Sequence, residues 1–168
     1  GYQRRGLLRA GLGAAFGSAF LLACTREPVT FKSVDITGAA YASNFRLRDQ
    51  LGTIRTLADF KGKIVVVFFG FTHCPDVCPT SMLTLTEVKR LLGPQGDLVQ
   101  VLFITVDPER DTLLLLKAYM ANFDPGFVAL RPDPDELKNV AGEFKVYYKK
   151  VGGKTPDSYS MDHSAGKY

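Results

Sequence analysis

Residues 64–69 form an unbroken run of isoleucine, valine and phenylalanine, closed by Gly70. A continuous apolar run of this length suits a strand buried on both faces, as in a sheet covered by helices. The residues that follow are just as restrictive. Phe71-Thr72-His73 leads into Cys74-Pro75-Asp76-Val77-Cys78-Pro79. The prolines fit a first helical turn, where the missing N–H would have no partner anyway. A buried strand therefore runs through a short loop into a helix whose first turn carries two cysteines.

The rest of the chain alternates in the same way. Residues 31–36 predict a strand ended by Gly38, and residues 45–49 and 53–56 a hairpin around Leu51-Gly52. Met82, Leu83, Leu85, Val88, Leu91 and Leu92 fall at helical spacing, and the helix stops at Gly93-Pro94. Residues 99–106 predict a second buried strand. Residues 111–123 predict a helix with Asp111 as its N-cap. A short strand is expected at 127–130, a helix at 133–144, a strand at 146–151 and a turn-rich loop at 152–157. Residues 158–164 are expected to be extended chain leading into a final strand. The pattern is α/β: a central mixed sheet with flanking helices and an N-terminal β-hairpin. The chain stops at Lys167-Tyr168, where a strand is beginning. The C-terminal strand and helix of such a domain are expected to be missing.

The chain has 168 residues, 46% hydrophobic and 23% charged, which fits one compact domain and argues against disorder. Its net charge of +4 owes most to Arg4, Arg5 and Arg9; from Cys24 onward the chain is close to neutral. No basic face is implied, and no nucleic-acid partner is expected. Those arginines precede an uncharged, mostly apolar stretch over residues 10–23, shorter than the ~20 residues a bilayer core requires. Leu21-Leu22-Ala23-Cys24 looks like a bacterial lipobox, in which the cysteine becomes a lipidated N-terminus. An uncleaved membrane anchor or simple cleaved secretion are the alternatives. Each places the domain outside the cytoplasm, and the expected location is the bacterial inner membrane, with the domain facing the periplasm. Residues 1–24 are then signal or anchor, 25–30 a polar tether, and 31–168 the domain.

Setting Cys24 aside leaves Cys74 and Cys78. A bridge between them would close a trivial loop, so a structural staple is a poor reading and a chemical role is favoured. At i and i+4 on one helical turn, the sulfurs can converge on one atom. The helix N-terminus favours thiolate near neutral pH. Thiolate is both a metal ligand and a nucleophile, so two chemistries remain open. Disulfide-exchange sites usually place two residues between their cysteines, and this pair has three.

There are two histidines. His73 adjoins Cys74 at the end of a strand, where neighbouring side chains alternate, so it is expected to face away from the sulfurs. His163, in Met161-Asp162-His163-Ser164, precedes the last strand. In a thioredoxin-like sheet that loop passes beside the start of the cysteine helix. Two thiolates and an imidazole suit Cu(I), which is content with three soft ligands. Zinc would want a fourth ligand or a water, and a blue-copper site reverses the Cys:His ratio. Asp162 is expected to face solvent rather than orient His163.

Three segments together resemble the SCO/SenC family of copper chaperones. They are Phe69-Gly70-Phe71-Thr72-His73-Cys74-Pro75-Asp76-Val77-Cys78-Pro79, Phe103-Ile104-Thr105-Val106-Asp107-Pro108-Glu109-Arg110-Asp111-Thr112, and Asp162-His163-Ser164. The resemblance covers about residues 31–168. It implies a thioredoxin-like fold, an N-terminal membrane anchor, and delivery of copper to the CuA centre of cytochrome c oxidase. It implies Cys74, Cys78 and His163 as metal ligands, for Cu(I) and with Cu(II) left open. The implied partners are the copper-receiving oxidase subunit and an upstream copper donor. The lipobox-like Leu21 to Cys24 departs from members that carry a single transmembrane anchor.

The resemblance also leaves room for thiol–disulfide exchange on a partner's cysteines, in which Cys74 attacks and Cys78 resolves the mixed disulfide. As a chaperone the protein is not an enzyme and has no catalytic residues. Peroxide reduction is a third, thinner reading, with Arg110 as the cation beside a thiolate. The 107–112 segment closes a strand's C-terminal end, where ligand-facing loops of α/β sheets lie. There Pro108 fixes a turn and Asp111 caps a helix. The resemblance implies that Asp107 and Arg110 shape the surface near the metal or the docking partner.

Overall fold

A computed structural model describes residues 32–153 and 158–168. The chain divides into units 1–37 and 38–168. The expected signal, lipobox and tether lie outside the described residues. In the first unit, residues 32–37 form no strand, contrary to the expectation for 31–36. The Asp35 carboxylate accepts the Thr37 N–H at 2.9 Å and its hydroxyl at 2.6 Å. A short acidic side chain that bonds backbone two residues on favours a turn over a ladder.

The second unit begins with a hairpin. Strand β1 (Arg46–Asp49) pairs antiparallel with β2 (Ile54–Thr56). Gly52 takes the turn position with φ +87, a conformation that suits glycine. Asp49, 1% exposed, stitches the turn by accepting the N–H groups of Leu51 and Thr53 and the Arg55 Nε. A 3-10 turn (Leu57–Phe60) leads into β3 (Ile64–Gly70). Helix α1 (Val77–Leu91), β4 (Val99–Thr105), α2 (Leu113–Met120), β5 (Val128–Arg131) and α3 (Pro134–Glu143) follow. Asp133 caps α3 through a reciprocal capping box with Glu136, and Pro134 opens the helix.

The strands β3, β4 and β5 are parallel, β1 joins β5 antiparallel, and the sheet order is β2-β1-β5-β4-β3. The expected mixed sheet with an N-terminal hairpin is therefore present. The core gathers Phe68, Phe69, Leu102, Phe103 and Ile104 from the sheet with Met82, Leu116 and Val140 from the helices.

Two expectations about strands need correction. The apolar run in β3 is buried only in its C-terminal half: Ile64 is exposed, while Phe68 and Phe69 are fully enclosed. The strand lies at the sheet edge, where its first residues have little to cover them. Near its middle, Val67 exchanges two backbone hydrogen bonds with Tyr168, at 2.8 and 2.9 Å, which begins to cover that edge. The second correction concerns residues 146–151. Strand β6 (Tyr148–Val151) does not join the main sheet. It pairs antiparallel with β7 (Ser160–His163) as a separate two-stranded ribbon.

Candidate metal site

The site is built where β3 and β4 end. The Val106 N–H donates to the Gly70 carbonyl at 2.8 Å and holds the two strand ends together. A Cβ on Gly70 would stand 2.9 Å from Cys78 Sγ and 2.8 Å from the Phe103 ring. Only glycine lets the backbone pass that close to the sulfur. Sequence reasoning took Gly70 merely as the end of a strand; without the fold, nothing in the sequence places a sulfur over it.

The loop after Gly70 is pinned from across the sheet. Asp111 is fully buried and accepts the Thr72 N–H at 3.1 Å, the Thr72 hydroxyl at 2.5 Å and the Thr105 hydroxyl at 2.5 Å. This overturns its expected role as a helix cap. Thr112 caps α2 instead, its hydroxyl accepting the Leu115 N–H at 3.1 Å. A spacing that suits a cap cannot reveal that the carboxylate turns inward to serve another loop. Burial pushes the Asp111 carboxyl above its usual range, against the pull of the Thr105 and Thr72 hydrogen bonds.

Cys78 is the second residue of α1 and is fully enclosed, whereas Cys74 is half-buried. Both are free thiols. The Cys78 N–H donates to Cys74 Sγ at 3.4 Å, so a first-turn amide is spent on sulfur. The Cys78 thiol does not follow the expectation of easy ionisation. Burial, followed by its hydrogen bond with Cys74, pushes it up to about 12. Enclosure outweighs the helix end here, and a thiol of this kind gives up its proton when a cation takes the proton's place.

His163 closes β7. Its Nδ1 lies 3.0 Å from the Ser164 carbonyl, which can only accept. The proton therefore sits on Nδ1, and the Nε2 lone pair is turned toward the Cys78 thiol, whose S–H it can accept. That Nε2 stands 3.8 Å from Cys78 Sγ, between residues 85 positions apart in the chain. The imidazole also packs edge-on against Phe71 and Phe68, with ring centroids 5.8 and 6.5 Å away. Cys74, Cys78 and His163 are thus brought into one neighbourhood. Among the described residues, no three His, Cys, Asp or Glu side chains already stand as a closed set for a metal ion.

The remaining candidates sort cleanly. His73 has a half-exposed side chain, with Nδ1 3.1 Å from the Thr72 hydroxyl and 3.9 Å from Asp111. It contributes nothing to the sulfur cluster. Asp162 is exposed and stands opposite Lys149 in the ribbon register. Asp107, 2% exposed, receives Arg110 Nε at 2.5 Å and the Tyr159 hydroxyl at 2.8 Å. Arg110 also donates through Nη1 to the Tyr159 carbonyl at 2.9 Å and stacks 3.6 Å from the Tyr159 ring. Its Nε and Nη1 are committed to that cluster, while the buried Nη2 has no hydrogen-bond partner among the described residues. Tyr159 was missed at the sequence level, where it is one aromatic in an extended segment.

Contrary to the expectation that both cysteines share one helical turn, α1 opens at Val77, so Cys78 lies in its first turn and Cys74 in the loop before it. A thioredoxin-like domain defines the class: a parallel strand pair, a cysteine pair spanning the loop and the first turn of α1, and a histidine carried in on a side ribbon. The chain belongs to the SCO1/SenC family, whose sequence model matches residues 34–168. It is 40% identical over 126 residues to the SCO2-like protein of Rickettsia felis, across 74% of this chain and 62% of that one. It is 38% identical over 176 residues to the mitochondrial SCO2 homolog of Bos taurus, across 100% of this chain and 65% of that one. The chain therefore spans less than two thirds of these curated relatives. The copper-bound structure of Bradyrhizobium japonicum ScoI superposes with a TM-score of 0.72 at 47% identity, over 77% of this chain and 82% of that one.

Proposed function

We propose that this protein is a copper metallochaperone that takes up Cu(I) through Cys74, Cys78 and His163 and passes it to the CuA site of cytochrome c oxidase. The observation that carries the reading is the meeting of His163 Nε2 with Cys78 Sγ at 3.8 Å, beside Cys74, from opposite ends of the domain. Two soft sulfurs and one imidazole suit Cu(I). The copper held by ScoI, at 47% identity, supports the same cargo here.

Each donor has its own task. Cys78, enclosed and pressed against Gly70, is the fixed anchor. Cys74, half-buried, is the ligand that a receiving protein can reach first, and exchange begins there. His163 presents Nε2 in the tautomer that Ser164 holds, and the flanking phenylalanine rings keep the imidazole from turning. Uptake releases the Cys78 proton, so loading is coupled to proton loss. The receiving partner is the oxidase subunit, and an upstream donor supplies the ion. Among the described residues no helix is long and apolar enough to cross a membrane. The lipobox-like Leu21-Leu22-Ala23-Cys24 supports attachment to the inner membrane, facing the periplasm, through residues 1–24.

The test is anaerobic competition for Cu(I) between the full chain and a colorimetric chelator, with Cys24→Ser as the common background. The parent binds one copper, Cys78→Ser loses it, and His163→Ala binds at least tenfold more weakly, a loss on the scale of a removed ligand. Parent-like affinity in His163→Ala would overturn the three-ligand site.

One observation favours a second reading. A half-exposed Cys74 with Cys78 directly behind it is the layout of an attacking and a resolving thiol. In that chemistry the two thiols give two electrons and two protons to a partner disulfide and become a Cys74–Cys78 disulfide. It leaves His163 dispensable and needs Cys78 to ionise, which its enclosure opposes. Reduction of a partner disulfide at parental rate by metal-free His163→Ala would favour it.

A further inference from the structure

The cysteine loop and the histidine ribbon belong to different parts of the fold, yet both are tied to one five-residue segment between β4 and α2. At one end of that segment, Asp111 holds Thr72, two residues before Cys74, by its N–H and its hydroxyl. At the other end, Asp107 accepts the Tyr159 hydroxyl, four residues before His163, and Arg110 binds the Tyr159 carbonyl while stacking on its ring. Lys150 of β6 adds an ion pair to Glu109 at 2.7 Å and covers the Tyr159 ring at 3.8 Å. The ribbon strands themselves make no ladder with the main sheet, and only the chain beyond them reaches β3, through Tyr168 and Val67, so these side-chain bonds hold the ribbon ahead of His163.

We infer that the β4–α2 segment is a two-ended clamp that sets the separation of His163 from the cysteine pair, with Asp107 and Tyr159 as positioning residues for His163 and Asp111 and Thr72 for Cys74. The inference rests on the copper-site reading for its purpose, but not for its geometry. Asp107 and Asp111 are both buried, so neither is there for solubility, and neither touches a candidate ligand. Each acts through one intermediary, Tyr159 or Thr72. A rigid segment with both intermediaries attached fixes each half of the site against the same frame.

The experiment uses the full chain with Tyr159→Phe and Thr72→Val, each alone and combined with His163→Ala. Tyr159→Phe removes one hydroxyl and keeps the ring under Arg110 and Lys150, so the fold is spared. Cu(I) affinity is read by chelator competition. Backbone hydrogen exchange is read on the copper-free chain. Tyr159→Phe weakens Cu(I) about tenfold and adds nothing once His163 is already alanine. Thr72→Val weakens it too, and its effect persists in the His163→Ala background. Without copper, Tyr159→Phe speeds exchange at β6 and β7, and Thr72→Val speeds it at the cysteine loop alone. Parental affinity with parental ribbon exchange in Tyr159→Phe, or a Tyr159 effect that adds fully to His163→Ala, overturns the clamp. If the parent itself takes up no Cu(I), the copper reading falls and the exchange data still decide the clamp.

Discussion

Gly70 shows how much a single position can carry. Its missing Cβ is the space in which Cys78 Sγ and the Phe103 ring sit, each within 3 Å of where that carbon would be. Neither neighbour can retreat, because Phe103 is fully enclosed and Cys78 is fixed in the first turn of α1. Gly70→Ala therefore strains the core by about 2 kcal/mol, the usual cost of an added methyl in a packed interior, and moves Cys78 away from His163. Urea unfolding of the variant checks the first effect and Cu(I) competition the second; an unchanged urea midpoint would refute the packing account. Asp111 makes the complementary point. Its place in the sequence suits a helix cap, and the side chain next door, Thr112, does that work while Asp111 turns inward.

Among the elements, the β1–β2 hairpin shows how a buried charge is kept. Burial alone would push the Asp49 carboxyl up. The Arg55 hydrogen bond and charge, with the Thr53 and Leu51 N–H groups, outweigh it and hold the carboxyl below its ordinary 3.8. A carboxyl depressed in the folded state stabilises the fold above its unfolded value, and that contribution is lost as pH falls through the folded value. Urea midpoints followed from about pH 5 to about pH 2 decline for the parent, and Asp49→Asn flattens that decline. Equal slopes for the two proteins would show that the turn gains nothing from the charge. The same scale explains why some elements were legible and others were not. The start of α3 near Asp133 was legible, and the structure adds the local chemistry behind it, Pro134 and a capping box with Glu136. The strand at 146–151 was visible as extended chain, but its partner was not, because pairing depends on what lies beside it in space.

At the scale of the molecule, the proposed site joins three regions: the loop after β3, the first turn of α1 and the end of β7. An ion held by all three stabilises their joint arrangement, whereas the unfolded chain keeps only the local Cys74–Cys78 pair. Free copper(I) at a hundredfold over its dissociation constant then adds at most about 2.7 kcal/mol to stability. Thermal unfolding with and without Cu(I) detects this as a rise in Tm that Cys78→Ser abolishes. A rise that survives Cys78→Ser would place the stabilising copper elsewhere.

By itself the sequence determined elements that short-range chemistry specifies: the apolar strand, a helix opening just after the first cysteine, the hairpin and the start of α3 at Asp133. It also supplied the candidate donor types, two sulfurs and an imidazole, on which the proposed soft-metal site rests. The tertiary structure decided which donors meet, that Cys78 is enclosed and holds its proton, and that β6 leaves the sheet to carry His163 inward with β7. It also decided that Asp111 bonds Thr72 and Asp107 bonds Tyr159, from the two ends of one segment. The physical reason is the range of the forces. Propensity, capping and periodicity act over a few residues, whereas burial and convergence depend on neighbours 85 or more positions away.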